Sequence, residues 1–217
     1  MMIIRDWIGE NWAPALIYCF FSVGLIGHIV GQTHDFMMDL TPIFLLLMGI
    51  AVLLPIFAGK LWKTISWLAV IYLITLAIEI IGVKTGLIFG AYDYGETLGL
   101  GLMGVPLVIG FNWTLIIIGS VSISNRVVKN RYLSAVVAGS MATFFDIILE
   151  PVAIELDYWA WDGGAIPLQN YIAWFLIGTV FALTYNLLSL KARSRLLIHY
   201  FFVQTLFFLF LRLDMAV

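Results

Sequence analysis

Apolar blocks of membrane-spanning length recur along the whole 217-residue chain, and the connections between them hold most of its charge. A helix rises 1.5 Å per residue, so a block of about twenty residues crosses ~30 Å of hydrocarbon. Only helices or closed barrels satisfy every backbone polar group inside lipid. The blocks are continuously apolar rather than alternating, which selects helices. With 63% hydrophobic and 11% charged residues, against roughly 45–50% and 25% in soluble domains, a soluble domain is excluded. The expected fold is all-α, a polytopic membrane bundle of about seven transmembrane helices. Their expected positions are 12–31, 41–58, 62–82, 105–123, 132–152, 170–190 and 196–213, forming one transmembrane domain over residues 1–217.

The N-terminal segment reads as a retained helix rather than a cleaved signal, because Asp6 and Glu10 interrupt any basic leader. The one cysteine, Cys19, sits inside the first block. It excludes an intrachain disulfide and a multi-cysteine metal site.

Basic residues are distributed unevenly between the two ends of the bundle. Arg5, Lys60, Lys63, Arg126, Lys129, Arg131, Lys191, Arg193 and Arg195 fall at one end, nine in all, against Lys84 and Arg212 at the other. The positive-inside rule puts the nine in the cytoplasm. The expectation is a multi-pass protein of the inner (plasma) membrane, N-terminus cytoplasmic and C-terminus outside. The lipid bilayer is its first partner, no nucleic-acid partner is expected, and the oligomeric state stays open.

The two long connections on the outer side, 83–104 and 153–169, are rich in aromatics, glycine and acids. Each leads into a helix through a similar phrase. VPLVIGFNW places Trp113 seven residues after Pro106, and IPLQNYIAW places Trp174 seven after Pro167. Upstream, Thr75 and Glu79 match Asp146 and Glu150, again four apart. The pattern predicts that 62–123 and 132–190 are two diverged copies of one helical hairpin, a parallel repeat. Chance phrasing of interfacial aromatics is the alternative.

Ionisable residues inside a bilayer are costly and by default functional. Counted from the basic boundary, Glu79 lies roughly 24 Å deep, Asp146 roughly 22 Å and Glu150 roughly 28 Å. His28 comes out near 24 Å when counted from Trp12. Asp146 and Glu150 share one helical face. Pro151 frees the carbonyl of Ile147 at the same level. The bland alternative is that these groups only tie helices together, yet no intramembrane lysine or arginine is placed to pair with them. A carboxyl kept protonated in a dry site is a proton donor. His28, at a helix end, is more simply a hydrogen-bonded packing residue.

Tyr92, Tyr94, Tyr158, Trp159 and Trp161 suit an interfacial aromatic belt. Trp113 and Trp174 lie one to two turns inside their helices, where a belt does not explain them. Aromatic faces stabilise a cation, and beside a proton donor they suggest acid chemistry on an alkene. Asn112 and Asn170 are candidates for holding water. Other motifs fall away. Gly99, Gly101 and Gly104 spell GxGxxG without the preceding strand that a dinucleotide site needs. Asn112-Trp113-Thr114 fits a glycosylation sequence at or inside a span. Gly27 and Gly31 read as close helix packing. His28, His34 and His199 are too scattered for a multi-histidine metal box.

The run EIIGVKTGLIFGAYDYGETLGLGLMGVPLVIGFNW, Glu79 to Trp113, resembles the carotenoid biosynthesis family that includes bisanhydrobacterioruberin hydratase and the carotene 1,2-hydratases. DIILEPVAIELDYWAWDGGAIPLQNYIAWF, Asp146 to Phe175, resembles the same family's D-x-x-x-E-P and Y-W-x-W segment. Ile166 precedes the second proline where the first copy has Val105. The resemblance implies a cofactor-independent lyase that adds water to the terminal double bond of a long acyclic carotenoid such as lycopene. It implies an Asp146/Glu150 pair as proton donor and Glu79 orienting water, roles that are open to exchange. His28, Tyr92, Tyr94, Asn112, Trp113, Tyr158, Trp159, Trp161, Asn170 and Trp174 are the expected substrate-binding residues, with no metal and no cofactor. A small membrane lycopene cyclase would use the same protonation. A transporter or proton channel would also suit carboxyls at one level. A retinal protein is excluded, because the last block contains no lysine for a Schiff base.

Overall fold

The computed structural model describes residues 12–192 and 194–217. Arg5, Asp6, Glu10 and Arg193 lie outside them. The described residues form seven long helices: α1 Trp12–Ile29, α2 His34–Ala58, α3 Trp62–Thr85, α4 Leu107–Val127, α5 Arg131–Glu155, α6 Leu168–Leu187 and α7 Leu196–Met215. The chain is an all-α polytopic membrane bundle. Its lipid-facing side chains are apolar and exposed, among them Ile26, Leu47, Leu73, Phe144 and Leu176.

Six of the described helices are long and apolar enough to cross a membrane. The exception to the expected seven is α6, whose ends carry Gln169, Asn170 and Tyr171, and Thr184, Tyr185 and Asn186. Those polar residues are used internally. Asn170 bonds Glu150 near one end of α5, and Asn186 bonds the Arg131 carbonyl at the other. Twenty residues span about 30 Å, so α6 runs alongside α5 for most of its length. The two helices approach closely because Gly139 faces Gly178: a Cβ on Gly139 would meet the Phe175 carbonyl at 2.8 Å.

Helix α2 starts at His34, seven residues before the expected position. The added turns carry Asp35 and Asp39. Asp35 lies in the first turn of the helix, where the macrodipole favours an acid. Helix α5 starts on Asn130, whose side chain accepts from the Tyr132 and Leu133 amides at 2.9 and 3.0 Å. Pro106 and Pro167 occupy the same position, immediately before α4 and α6.

The two long connections carry strands that the apolar pattern does not reveal. Strand β1 (Tyr92–Tyr94), from the first connection, pairs antiparallel with β4 (Trp159–Trp161), from the second. The register is Tyr92 to Trp161, Asp93 to Ala160 and Tyr94 to Trp159. Strands β2 (Gly101–Leu102) and β3 (Val105–Pro106) form a separate hairpin. Its turn is Met103-Gly104, both with positive φ, as a tight type I′ hairpin requires. The GxGxxG phrase is therefore largely a hairpin signal. Gly27 packs on the Met37 side chain within the chain, whereas Gly31 has open space around it.

Candidate active site

Glu79 sits in the last two turns of α3, and Asp146 and Glu150 lie one turn apart near the end of α5. All three are at most 2% exposed. A buried carboxylate is an acceptor-only group and needs donors. The β1–β4 ribbon supplies them. Side chains alternate along a strand, so Tyr92 and Tyr94 project to one face together, as do Trp159 and Trp161. Both tyrosine hydroxyls donate to Glu79 Oε2, that of Tyr94 at 2.9 Å. Both indole N–H groups donate to Glu150 Oε2, from Trp159 at 2.9 Å and Trp161 at 2.8 Å. Burial and the neighbouring Glu79 raise both phenols above their ordinary range, so at neutral pH they remain protonated donors.

Asn170, in the first turn of α6, joins the pair on α5. Its amide donates to Asp146 Oδ2 at 2.8 Å and to Glu150 Oε1 at 2.9 Å. Glu150 thus receives three N–H donors and Asp146 one. The Ile147 carbonyl, freed by Pro151 as expected, accepts from Arg212 Nη1 at 2.9 Å. Arg212 therefore holds the end of α5 to α7, and its Nε donates to the Val217 oxygen at 2.8 Å.

Trp113 and Trp174 form the inner wall. Their rings stack with centroids 3.6 Å apart and planes within 14°. Phe89 stacks on the other face of Trp174 at 5.2 Å, and Gly82 makes room for it, since a Cβ there would meet the Phe89 ring at 2.6 Å. Phe89 was not singled out from the sequence, although it stands in the aromatic-glycine phrase that leads into β1.

These groups enclose one small cavity of about 20 Å³, lined by Glu79, Tyr92, Tyr94, Trp113, Asp146, Glu150, Trp159, Trp161, Asn170 and Trp174. That is room for about one water molecule. A larger apolar groove of about 540 Å³ opens to lipid between α2, α3 and α4, against Leu46, Tyr72, Leu98 and Phe111 among others. Leu98 belongs to the same buried cluster as Tyr92, Trp113 and Trp174.

Three expected site residues lie elsewhere. Asn112 faces α7, where its Oδ1 accepts from Gln204 Nε2 at 2.8 Å. His28 donates from Nδ1 to its own helix at the Gly24 carbonyl, 2.7 Å away, and packs on Phe207. Tyr158 precedes the ribbon and is buried, but its side chain does not line the cavity. No group of three or more His, Cys, Asp or Glu side chains among the described residues could hold a metal ion.

A family model for carotenoid biosynthesis proteins matches residues 40–216. The chain belongs to that family. The matched region of this carotenoid biosynthesis protein contains every residue that lines the cavity. A bisanhydrobacterioruberin hydratase from Haloarcula japonica is 28% identical to it over 158 residues, covering 67% of this chain. The chain spans about half of that relative, 54% of its length. No solved structure matches.

Proposed function

We propose that this carotenoid biosynthesis protein is a hydratase that adds water to the terminal double bond of an acyclic carotenoid end, giving a tertiary alcohol. The observation that carries the reading is the water-sized cavity bounded by three carboxyls and a stacked tryptophan pair. The family match and the hydratase relative support it.

The chemistry follows from the donor set. The Asp146/Glu150 pair supplies the proton. Three N–H donors match an ionised Glu150, which leaves Asp146, with its single donor, to carry it. Protonation of the less substituted alkene carbon leaves the positive charge on the tertiary carbon. The faces of Trp113 and Trp174 stabilise that charge. Glu79, held by Tyr92 and Tyr94, orients water and takes up its proton on attack. No redox step is involved, so the residues suffice without a cofactor. General acid–base assistance of this kind contributes typically 10²–10⁴-fold.

The substrate is long and apolar, and the lipid-facing groove offers the polyene a seat with entry from the bilayer. The basic end is cytoplasmic in this reading, which places the N-terminus inside and the site in the outer half of the plasma membrane.

Expression in a lycopene-producing bacterium, followed by mass analysis of the pigments, tests the reaction. Hydration adds the mass of one water per modified end. A cyclised product of unchanged mass would identify a cyclase instead, and unaltered pigments with proton flux in proteoliposomes would identify a channel or transporter.

A further inference from the structure

A second site lies at the opposite end of the bundle, at its basic end. Two cavities meet there between α3, the α2–α3 turn and the end of α6. The first, of about 410 Å³, is lined by Lys60, Lys63 and Lys191 together with Thr64 and Ser189. The second, of about 540 Å³, is lined by Trp62, Trp67, Val70 and Leu188. They share Trp62, Lys63 and Leu190, so the lysine cavity continues into the apolar one. Among the described residues, no carboxylate lines either.

The walls are fixed by contacts within the chain. Thr64 Oγ1 donates to the Lys191 carbonyl at 2.8 Å, tying the α6–α7 connection to the start of α3. Trp67 donates from Nε1 to Thr184 Oγ1 at 3.0 Å and packs edge-on against Tyr185. No side chain caps the start of α3, so its positive dipole end adds to the lysine charge. From Lys63 to Val70 the groove descends about 10 Å into the hydrocarbon.

We propose that this is a binding site for an anionic glycerophospholipid. Its phosphate engages Lys60, Lys63 and Lys191, and one acyl chain lies along Trp62, Trp67 and Val70. Charge complementarity selects an anion, and the apolar continuation selects one that carries a hydrocarbon chain. Basic pockets between transmembrane helices commonly hold acidic headgroups in this way. The lipid seals the seam between α3 and α6 at the end away from the carboxyls, so the site is independent of the hydratase reading.

The test is lipid retention by the purified full-length protein, exchanged into mixed phosphatidylcholine and phosphatidylglycerol micelles and read by native mass spectrometry. The wild-type protein should retain phosphatidylglycerol over phosphatidylcholine. The variant K60Q/K63Q/K191Q should lose that preference, by about fivefold per lysine and on the order of a hundredfold in all. These lysines are exposed, so the variant is expected to fold, and an unchanged helical melting curve checks that it does. Val70→Trp, which fills the groove and leaves the lysines intact, should also weaken retention. Undiminished phosphatidylglycerol in the triple variant would overturn the proposal. Displacement of the lipid by millimolar inorganic phosphate would show that the site takes the free anion instead.

Discussion

Trp113 and Trp174 stack face to face, 3.6 Å between ring centroids, each seven residues after the proline that precedes its helix. Around them other elements of the two hairpins also match. Glu79 receives two donors from β1, and Glu150 two from β4, on strands that pair antiparallel. A two-fold axis through the Asp93–Ala160 pair, along the membrane normal, would relate them, as the parallel-repeat reading proposes. The halves differ where Thr75 stands for Asp146. Only the second half has a carboxyl pair, and that asymmetry fits a site with separate acid and water-binding sides.

The stack makes the two tryptophans energetically coupled. Trp113→Phe and Trp174→Phe should each lower the thermal unfolding midpoint in detergent. The double variant should cost less than the sum, by about 0.5–1.5 kcal/mol, the usual worth of an aromatic pair. Strict additivity would show that the rings pack independently.

Asn112 and Asn170 should behave in opposite ways. Asn112→Ala strips Gln204 of its partner on α4 and should cost about 1–3 kcal/mol of stability, with turnover per folded molecule unchanged. Asn170→Ala breaks the bridge between Asp146 and Glu150 and should lower turnover. Equal loss of turnover in both would place Asn112 in the reaction.

The cavity is too small for an alkene, so the ribbon must move to admit one. In a Cys19→Ser background, Asp93→Cys with Ala160→Cys sets two thiols directly opposite across β1 and β4. Oxidation should suppress hydration, and reduction should restore it. Full turnover with the crosslink formed would mean that entry does not pass the ribbon.

Reporter fusions after Arg126 and after Asp162 should give opposite signals, cytoplasmic for the first and external for the second. Cytoplasmic signals from both would contradict the proposed orientation.

The helices were readable because membrane thickness imposes its length on apolar blocks. Counting residues along each helix also put Glu79, Asp146 and Glu150 at one level, and the three line one cavity. Position around the helix axis was not readable. Asn112 adjoins Trp113 in sequence, but one residue turns a helix by about 100°, so Trp113 faces the cavity and Asn112 faces α7. His28 has the right depth on α1, which packs against α2 and α7 rather than the carboxyl helices. The ribbon escaped because strands of three residues have no length signal. Their alternation, Tyr-Asp-Tyr and Trp-Ala-Trp, was present, but its meaning depends on pairing between connections 67 residues apart, Asp93 with Ala160.

The central claim, that buried carboxyls hydrate a carotenoid, is tested most directly by the yield of hydrated product. Asp146→Asn and Glu150→Gln keep shape while removing acidity; the first keeps an oxygen for Asn170, and the second keeps one of the two oxygens that accept from Trp159, Trp161 and Asn170. Membranes carrying matched amounts of each variant should form hydrated carotenoid at least about 10²-fold more slowly than wild type, the lower end of a general-acid contribution. Near wild-type yield in both variants would mean that the proton comes from another group, and the mechanism proposed for this site would be wrong.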